Sequence, residues 1–149
     1  MHPDDAIQEE AFLQRLEGMD AAITEEPGVS LDILPLHLSP SAALSLVETS
    51  LRGPDRPTGI YAFSDEYAAV LLSALTRLDI RVPQEVALVG TDNTPLCEYV
   101  WPPLTSMSFD ALDLGKRAVE LLHTLQQELP LPEELTRPLV PQLIQREST

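Results

Sequence analysis

Val86–Met107 reads VALVGTDNTPLCEYVWPPLTSM, and the place where its apolar opening gives out decides the fold. Val86 to Gly90 has the apolar, β-branched make-up of a buried strand, and it runs straight into Thr-Asp-Asn-Thr-Pro. A strand that stops at a glycine and an acid either turns a corner or presents a side chain to a ligand. Upstream, Gly59 to Phe63 (GIYAF) reads as a second buried strand, and Ser64 is placed to cap a following helix. Asp65 and Glu66 then fall where the positive end of the helix dipole favours acids. Two strand-then-helix units in succession, joined through a turn at Pro83, predict an α/β fold with a parallel sheet covered by helices.

The helix after Ser64 is apolar nearly all round: from Tyr67 to Leu78 only Ser73, Thr76 and Arg77 are polar. A helix touching only its own sheet needs one apolar stripe, so a second surface must also be covered. Either a subunit interface involving Tyr67, Ala69 and Val70 or a central place in the domain would meet that need. Downstream, Thr94-Pro95 opens a short helix through Tyr99, and Thr105 to Phe109 reads as a strand. Asp110 caps a helix from Ala111 to Gln127 with a stripe of Ala111, Leu114, Ala118, Leu121, Leu122 and Leu125. Leu139 to Ile144 reads as a last strand before a polar tail, Gln145–Thr149. Toward the N-terminus, residues 4–23 show helical spacing, Leu31 to Leu36 reads as a strand, and Ser39-Pro40 opens a helix to Leu51.

A chain of 149 residues with 44% apolar side chains can bury one domain's core, or two small lobes. Its net charge of -15, with no basic cluster, argues against direct contact with nucleic acid or membrane surfaces, both of which bind through Lys and Arg. A single cysteine, Cys97, permits no internal disulfide, fits a reducing cytoplasm and is most simply a small buried side chain. No run approaches the roughly 18 apolar residues of a membrane span, and the N-terminus lacks signal-peptide character, so a cytoplasmic location is expected.

Ligands of open parallel sheets bind beyond the carboxyl ends of the strands. Here those ends deliver Ser64 and Asp65 from one strand and Thr91, Asp92 and Asn93 from the next. A carboxylate that accepts two hydrogen bonds suits the vicinal hydroxyls of a sugar. The same residues also have plain structural uses: Ser64 as a cap, Asp65 and Glu66 as dipole partners, Asp92 as a turn anchor. His2, His37 and His123 stand beside no nucleophile and show no metal-ligand spacing, and no GxSxG, HExxH, CxxC or phosphate loop occurs. The residues therefore read as a binder, with no catalytic residue, metal or cofactor; Asp65 and Asp92 acting as paired hydrolytic acids is the disfavoured reading.

Tyr61 to Leu122 resembles the lactose/galactose repressor (LacI/GalR) family of bacterial transcription regulators. The resemblance rests on Ser64-Asp65 before a small-residue helix, the Ile80–Pro83 turn, Val89–Asp92 at a strand end, Pro103-Leu104-Thr105 and the closing Gln145–Thr149. Upstream, Arg15-Leu16-Glu17-Gly18 is similar to the family's Arg-x-x-Gly helix. It implies a periplasmic-binding-protein-like type I core that binds a small, polar, sugar-like effector such as a sugar or nucleoside, of which this chain matches mainly the carboxyl-terminal lobe. Residues 1–102 and 130–149 would form that lobe, and 103–129 would cross to an amino-terminal lobe outside the chain. DNA would be reached only through a helix-turn-helix that this chain does not carry. By position, Arg15, Asp92 and Phe109 match effector-binding residues, while Ser64 stands where many members have asparagine and Thr91 where most have an aromatic residue. Leu96, Cys97 and Tyr99 match a homodimer surface. Without the other lobe, the helix from Ala111 is expected to fold back, to be exchanged with a second copy, or to be poorly ordered. The alternative is a stand-alone carbohydrate-binding or interaction module.

Overall fold

In a computed structural model the described residues are 3–54 and 56–149, with side chains described from Glu10 onward, so the expectation for His2 lies outside them. The chain forms two compact units, residues 1–36 and 37–149.

The first unit is built on α1 (Pro3–Thr24), which the spacing of apolar residues predicts to within a residue at each end. Gly28 follows it at φ +89, a left-handed conformation that glycine enters without steric cost. The strand expected over Leu31–Leu36 is not formed. A strand exists through the neighbour it pairs with, and a weak alternation of Leu31 and Ile33 does not supply one.

The second unit runs α2 (Pro40–Ser50), β1 (Gly59–Tyr61), α3 (Asp65–Arg77), β2 (Ala87–Thr91), α4 (Leu96–Tyr99), β3 (Thr105–Ser108), α5 (Ala111–Gln126), α6 (Glu133–Thr136) and β4 (Gln142–Ile144). Ser39 caps α2, its Oγ accepting from the Ala42 N–H at 3.2 Å, with Pro40 in the first turn. The sheet order is β1-β2-β3-β4. β1 pairs with β2, and β2 with β3, in parallel, whereas β4 runs antiparallel to β3 with Ile144 opposite Ser106. The sheet is thus mixed, and the carboxyl ends of β1, β2 and β3 share one edge.

α3 packs on both α2 and β2, and Ala43, Val47, Ala68, Leu71, Leu75 and Leu88 are buried. The domain's own packing therefore covers much of the apolar girth of α3, leaving Tyr67, Ala69 and Val70 half-buried. α5 behaves differently. Asp110 caps it, accepting from the Asp113 N–H at 2.9 Å, yet no residue of the helix is buried. Leu112, Val119 and Leu122 are 70%, 68% and 62% exposed, so the helix does not fold back onto this chain's sheet.

Gln145–Thr149, expected as a polar tail, keeps an exposed, polar character but is anchored to the core through Ser148. The Ser148 hydroxyl is fully buried, donates to the Leu88 carbonyl at 2.6 Å and accepts from the Thr105 N–H at 2.8 Å. One hydroxyl thus bridges β2 and β3. Ser148→Ala leaves both groups without that partner and is expected to lower stability by about 2 kcal/mol. The change should appear as a lower urea midpoint at unchanged slope.

Candidate functional site

Three connections leave the shared sheet edge: residues 62–64 after β1, 92–95 after β2 and 109–110 after β3. The first leads into α3. Ser64 occupies the cap position, but its hydroxyl donates to Glu66 Oε2 at 2.6 Å and makes no capping bond.

Asp65, expected to face a ligand, is instead completely buried. Its Oδ2 accepts from the Thr94 N–H at 2.6 Å and from the Thr94 hydroxyl at 2.9 Å, and its Oδ1 accepts from the Ser106 hydroxyl at 2.6 Å. The room for it is made by Gly90 on β2, where a Cβ would stand 2.5 Å from Asp65 Oδ1. With no surface of its own and its oxygens taken by internal donors, Asp65 cannot act as half of an acid pair in an open crevice. It ties the start of α3 to the loop after β2.

That loop carries Asp92, which is exposed and whose N–H donates to the Met107 carbonyl at 2.9 Å. Asp92 and Asn93 have φ of +101 and +51, conformations that L-residues hold only where their surroundings over-determine them. The surroundings here do so. The Asn93 N–H donates to Ser106 Oγ at 3.1 Å, and its side-chain Oδ1 accepts from Arg146 Nη2 at 2.8 Å. Arg146 is itself fixed, donating from Nη1 to the Leu104 carbonyl and from its N–H to Thr105 Oγ1. Thr91, at the end of β2, is buried, and its hydroxyl donates to the Tyr61 hydroxyl at 2.8 Å. It therefore links β2 to β1 and has no surface for a ligand. Phe109 follows β3 and is 41% exposed.

Of the expected ligand residues, the fold brings Ser64, Asp92 and Phe109 to one sheet edge, and Arg15 lies on α1 in the first unit. Ser106 and Arg146 were not singled out by the sequence. Ser106 carries no local signal, and Arg146 is marked only as part of the closing Gln145–Thr149 motif.

Among the expected interface residues, Cys97 is fully buried in the core of its own chain and has no surface to offer a partner. Burial, and then the Asp65 carboxyl beside it, push its thiol up to about 11. Ellman's reagent, which needs an accessible thiolate, is expected to react with Cys97 only as the protein unfolds, at the same urea concentration that abolishes the circular dichroism signal. Tyr99 is 80% exposed and Leu96 half-buried.

A cleft of about 480 Å3 between α5 and α6 is lined by Asp113, Arg117, Glu120 and His123. Its guanidinium is already used: Arg117 Nε pairs with Asp113 at 2.8 Å and Nη1 donates to the carbonyls of Glu134 and Arg137. Among the described residues, no three His, Cys, Asp or Glu side chains are grouped to hold a metal ion, and no helix is long and apolar enough to cross a membrane.

The periplasmic binding protein-like domain family matches residues 5–149. The chain is 31% identical over 119 residues to the HTH-type transcriptional repressor PurR of Vibrio vulnificus, covering 78% of this chain and 35% of that protein. It is 32% identical over 139 residues to the ribose operon repressor of Haemophilus influenzae, covering 90% of this chain and 41% of that one. Among solved structures it is similar to a LacI family transcriptional regulator from Arthrobacter sp. FB24 in complex with lactose, with a TM-score of 0.71 and 34% identity over 87% of this chain and 48% of the other. The chain thus spans well under two thirds of each of these relatives.

Proposed function

Since the chain belongs to the periplasmic binding protein-like family, of the type found in LacI/GalR regulators, we propose that it is the effector-sensing part of a bacterial transcriptional regulator and takes a small, polyhydroxylated ligand of the sugar class. The observation that carries this reading is Asp92, an exposed carboxyl held in a left-handed backbone at the end of the central strand pair. A carboxylate so placed can accept from two vicinal hydroxyls at once. Ser64 and Phe109 at the same edge supply a hydroxyl and an apolar face against which a sugar ring can lie. Arg15, in the first unit, is proposed as a ligand residue on the family resemblance alone. The sugar class is supported by the lactose bound to one relative and by the name of another, the ribose operon repressor.

Regulation by such a ligand follows from linkage. A ligand controls a regulator only through different affinity for two arrangements of it. A net charge of -15 keeps this chain from binding DNA by itself, so operator contact falls to a helix-turn-helix elsewhere in the protein, and the site of action is the cytoplasm. Residues 103–129 are proposed to cross to a second lobe, in keeping with the wet apolar side chains of α5. Leu122→Ser is accordingly expected to change the stability of this chain by no more than about 0.5 kcal/mol. In a chain extended to include the preceding lobe it should cost about 2 kcal/mol. A homodimer would use Tyr99 and the adjoining Trp101, 80% and 77% exposed, together with Leu96, Tyr67, Ala69 and Val70.

A thermal-shift panel of lactose, ribose, other sugars and nucleosides tests the ligand class. Binding to the folded state raises stability by about 2.7 kcal/mol at a hundredfold excess over Kd. A sugar that shifts the native chain and leaves Asp92→Ala unmoved is the expected result. Shifts by nucleosides alone would overturn the sugar class, and no shift by any ligand would favour an interaction module.

A further inference from the structure

We infer that Asp65 is a positioning residue: acting through Ser106 and Thr94, it holds the loop Asp92–Thr94 in the conformation that presents Asp92. This rests on the reading of Asp92 as the ligand-binding group, but the mechanical part of it does not. All three consecutive N–H groups of the loop are tied down. Asp92 N–H donates to the Met107 carbonyl, Asn93 N–H to Ser106 Oγ, and Thr94 N–H to Asp65 Oδ2. The second and third of these depend on the same carboxyl group, because the Ser106 hydroxyl that accepts from Asn93 passes its own hydrogen to Asp65 Oδ1.

The direction of that relay matters. A carboxylate only accepts, so it fixes Ser106 as donor toward Asp65 and leaves the Ser106 lone pairs for Asn93. An amide at position 65 can offer an oxygen to Thr94 or to Ser106 but not to both, and its NH2 would force the Ser106 hydroxyl to donate elsewhere. One of the two ties that hold the Asn93 and Thr94 N–H groups is then weakened, and the loop, with Asn93 at positive φ, would drift from the conformation that presents Asp92. Arg146 braces the other side of Asn93, yet through the Asn93 side chain only, which leaves the Asn93 and Thr94 N–H groups to Ser106 and Asp65. Buried as it is, Asp65 can influence a ligand only through the loop.

The test has two arms on the full chain. In the first, amide hydrogen exchange is read without ligand in Asp65→Asn and in Ser106→Ala, the latter serving if the former folds poorly. Exchange at Asn93 and Thr94 is expected to accelerate at least tenfold while Leu88 and Val89 keep their protection. Unchanged exchange at Asn93 and Thr94, or an equal loss across the whole second unit, would overturn the inference. In the second arm, lactose and ribose are titrated by calorimetry into the native chain, Asp65→Asn, Asp92→Asn and the double variant. The Asp65→Asn change is expected to weaken binding about tenfold when Asp92 is present and less than twofold when it is already Asn, since a residue that acts through Asp92 has nothing left to position. Equal weakening in both backgrounds would overturn it. A core variant of matched stability loss, Leu75→Val, should leave Kd unchanged. If neither sugar binds the native chain, the ligand assignment fails while the exchange arm still decides the role of Asp65.

Discussion

Replacing Gly90 by alanine is expected to destabilise the protein by about 3 kcal/mol, near the upper end of the usual cost of overpacking a core. The added Cβ would lie 2.5 Å from Asp65 Oδ1 and 3.0 Å from Leu104 Cδ2. Neither neighbour can yield cheaply. Leu104 is fully buried, and moving Asp65 stretches its hydrogen bonds to Thr94 and Ser106, all away from water. The effect should reach the ligand site as well, because the displaced carboxyl is the one that ties down Thr94. Gly59→Ala is the control: nothing lies within 4 Å of the Cβ it adds, and its effect should stay within about 0.5 kcal/mol. Urea denaturation of the two variants beside the native chain measures both numbers.

The second large effect concerns Asp92 and has opposite signs for affinity and for stability. Asp92→Gly is expected to weaken sugar binding at least a hundredfold, about 2.7 kcal/mol, and to raise stability by about 1 kcal/mol. The binding loss follows from removing the acceptor of two hydroxyl donors. The gain follows because a side chain at φ +101 carries strain of roughly 1–3 kcal/mol, against which glycine's extra unfolded-state freedom weighs roughly 0.5–1 kcal/mol. Asp92→Ala keeps the strain and should lose the ligand without gaining stability. If Asp92 were only a turn anchor, both variants would lose stability and neither would change affinity. Calorimetric titration with thermal melts on the same samples separates the two cases.

Much of this architecture was legible where the controlling chemistry is local. Ser39-Pro40 and Asp110 announce their helices because a cap needs only the next few residues, and the strand read over Val86 to Gly90, observed as Ala87–Thr91, announces itself by composition. The exposed Asp92 followed from position at a strand end. What could not be read depends on atoms distant in sequence. Gly90 is glycine because of Asp65, Asp65 is buried because of Thr94 and Ser106, and Ser148 belongs to the core because Leu88 and Thr105 meet there. Asp65 therefore looked like a ligand group from its place at a strand end, and the family resemblance set Cys97 on an interface although its residue type already suited burial; both point inward. The segment Leu31–Leu36 failed for the converse reason, since its alternation implied a pairing edge that the described residues do not provide.

On the function proposed above, a sugar-class ligand is bound at the carboxyl edge of β1, β2 and β3. Backbone amide shift mapping tests it most directly, with the isotope-labelled chain titrated with the sugar that gives the largest thermal shift. Perturbations are expected to concentrate at Ser64, Asp92, Asn93 and Phe109 and to saturate together. Saturable perturbations centred instead on Arg117 and His123 in the cleft between α5 and α6, with the strand-end residues unmoved, would contradict it.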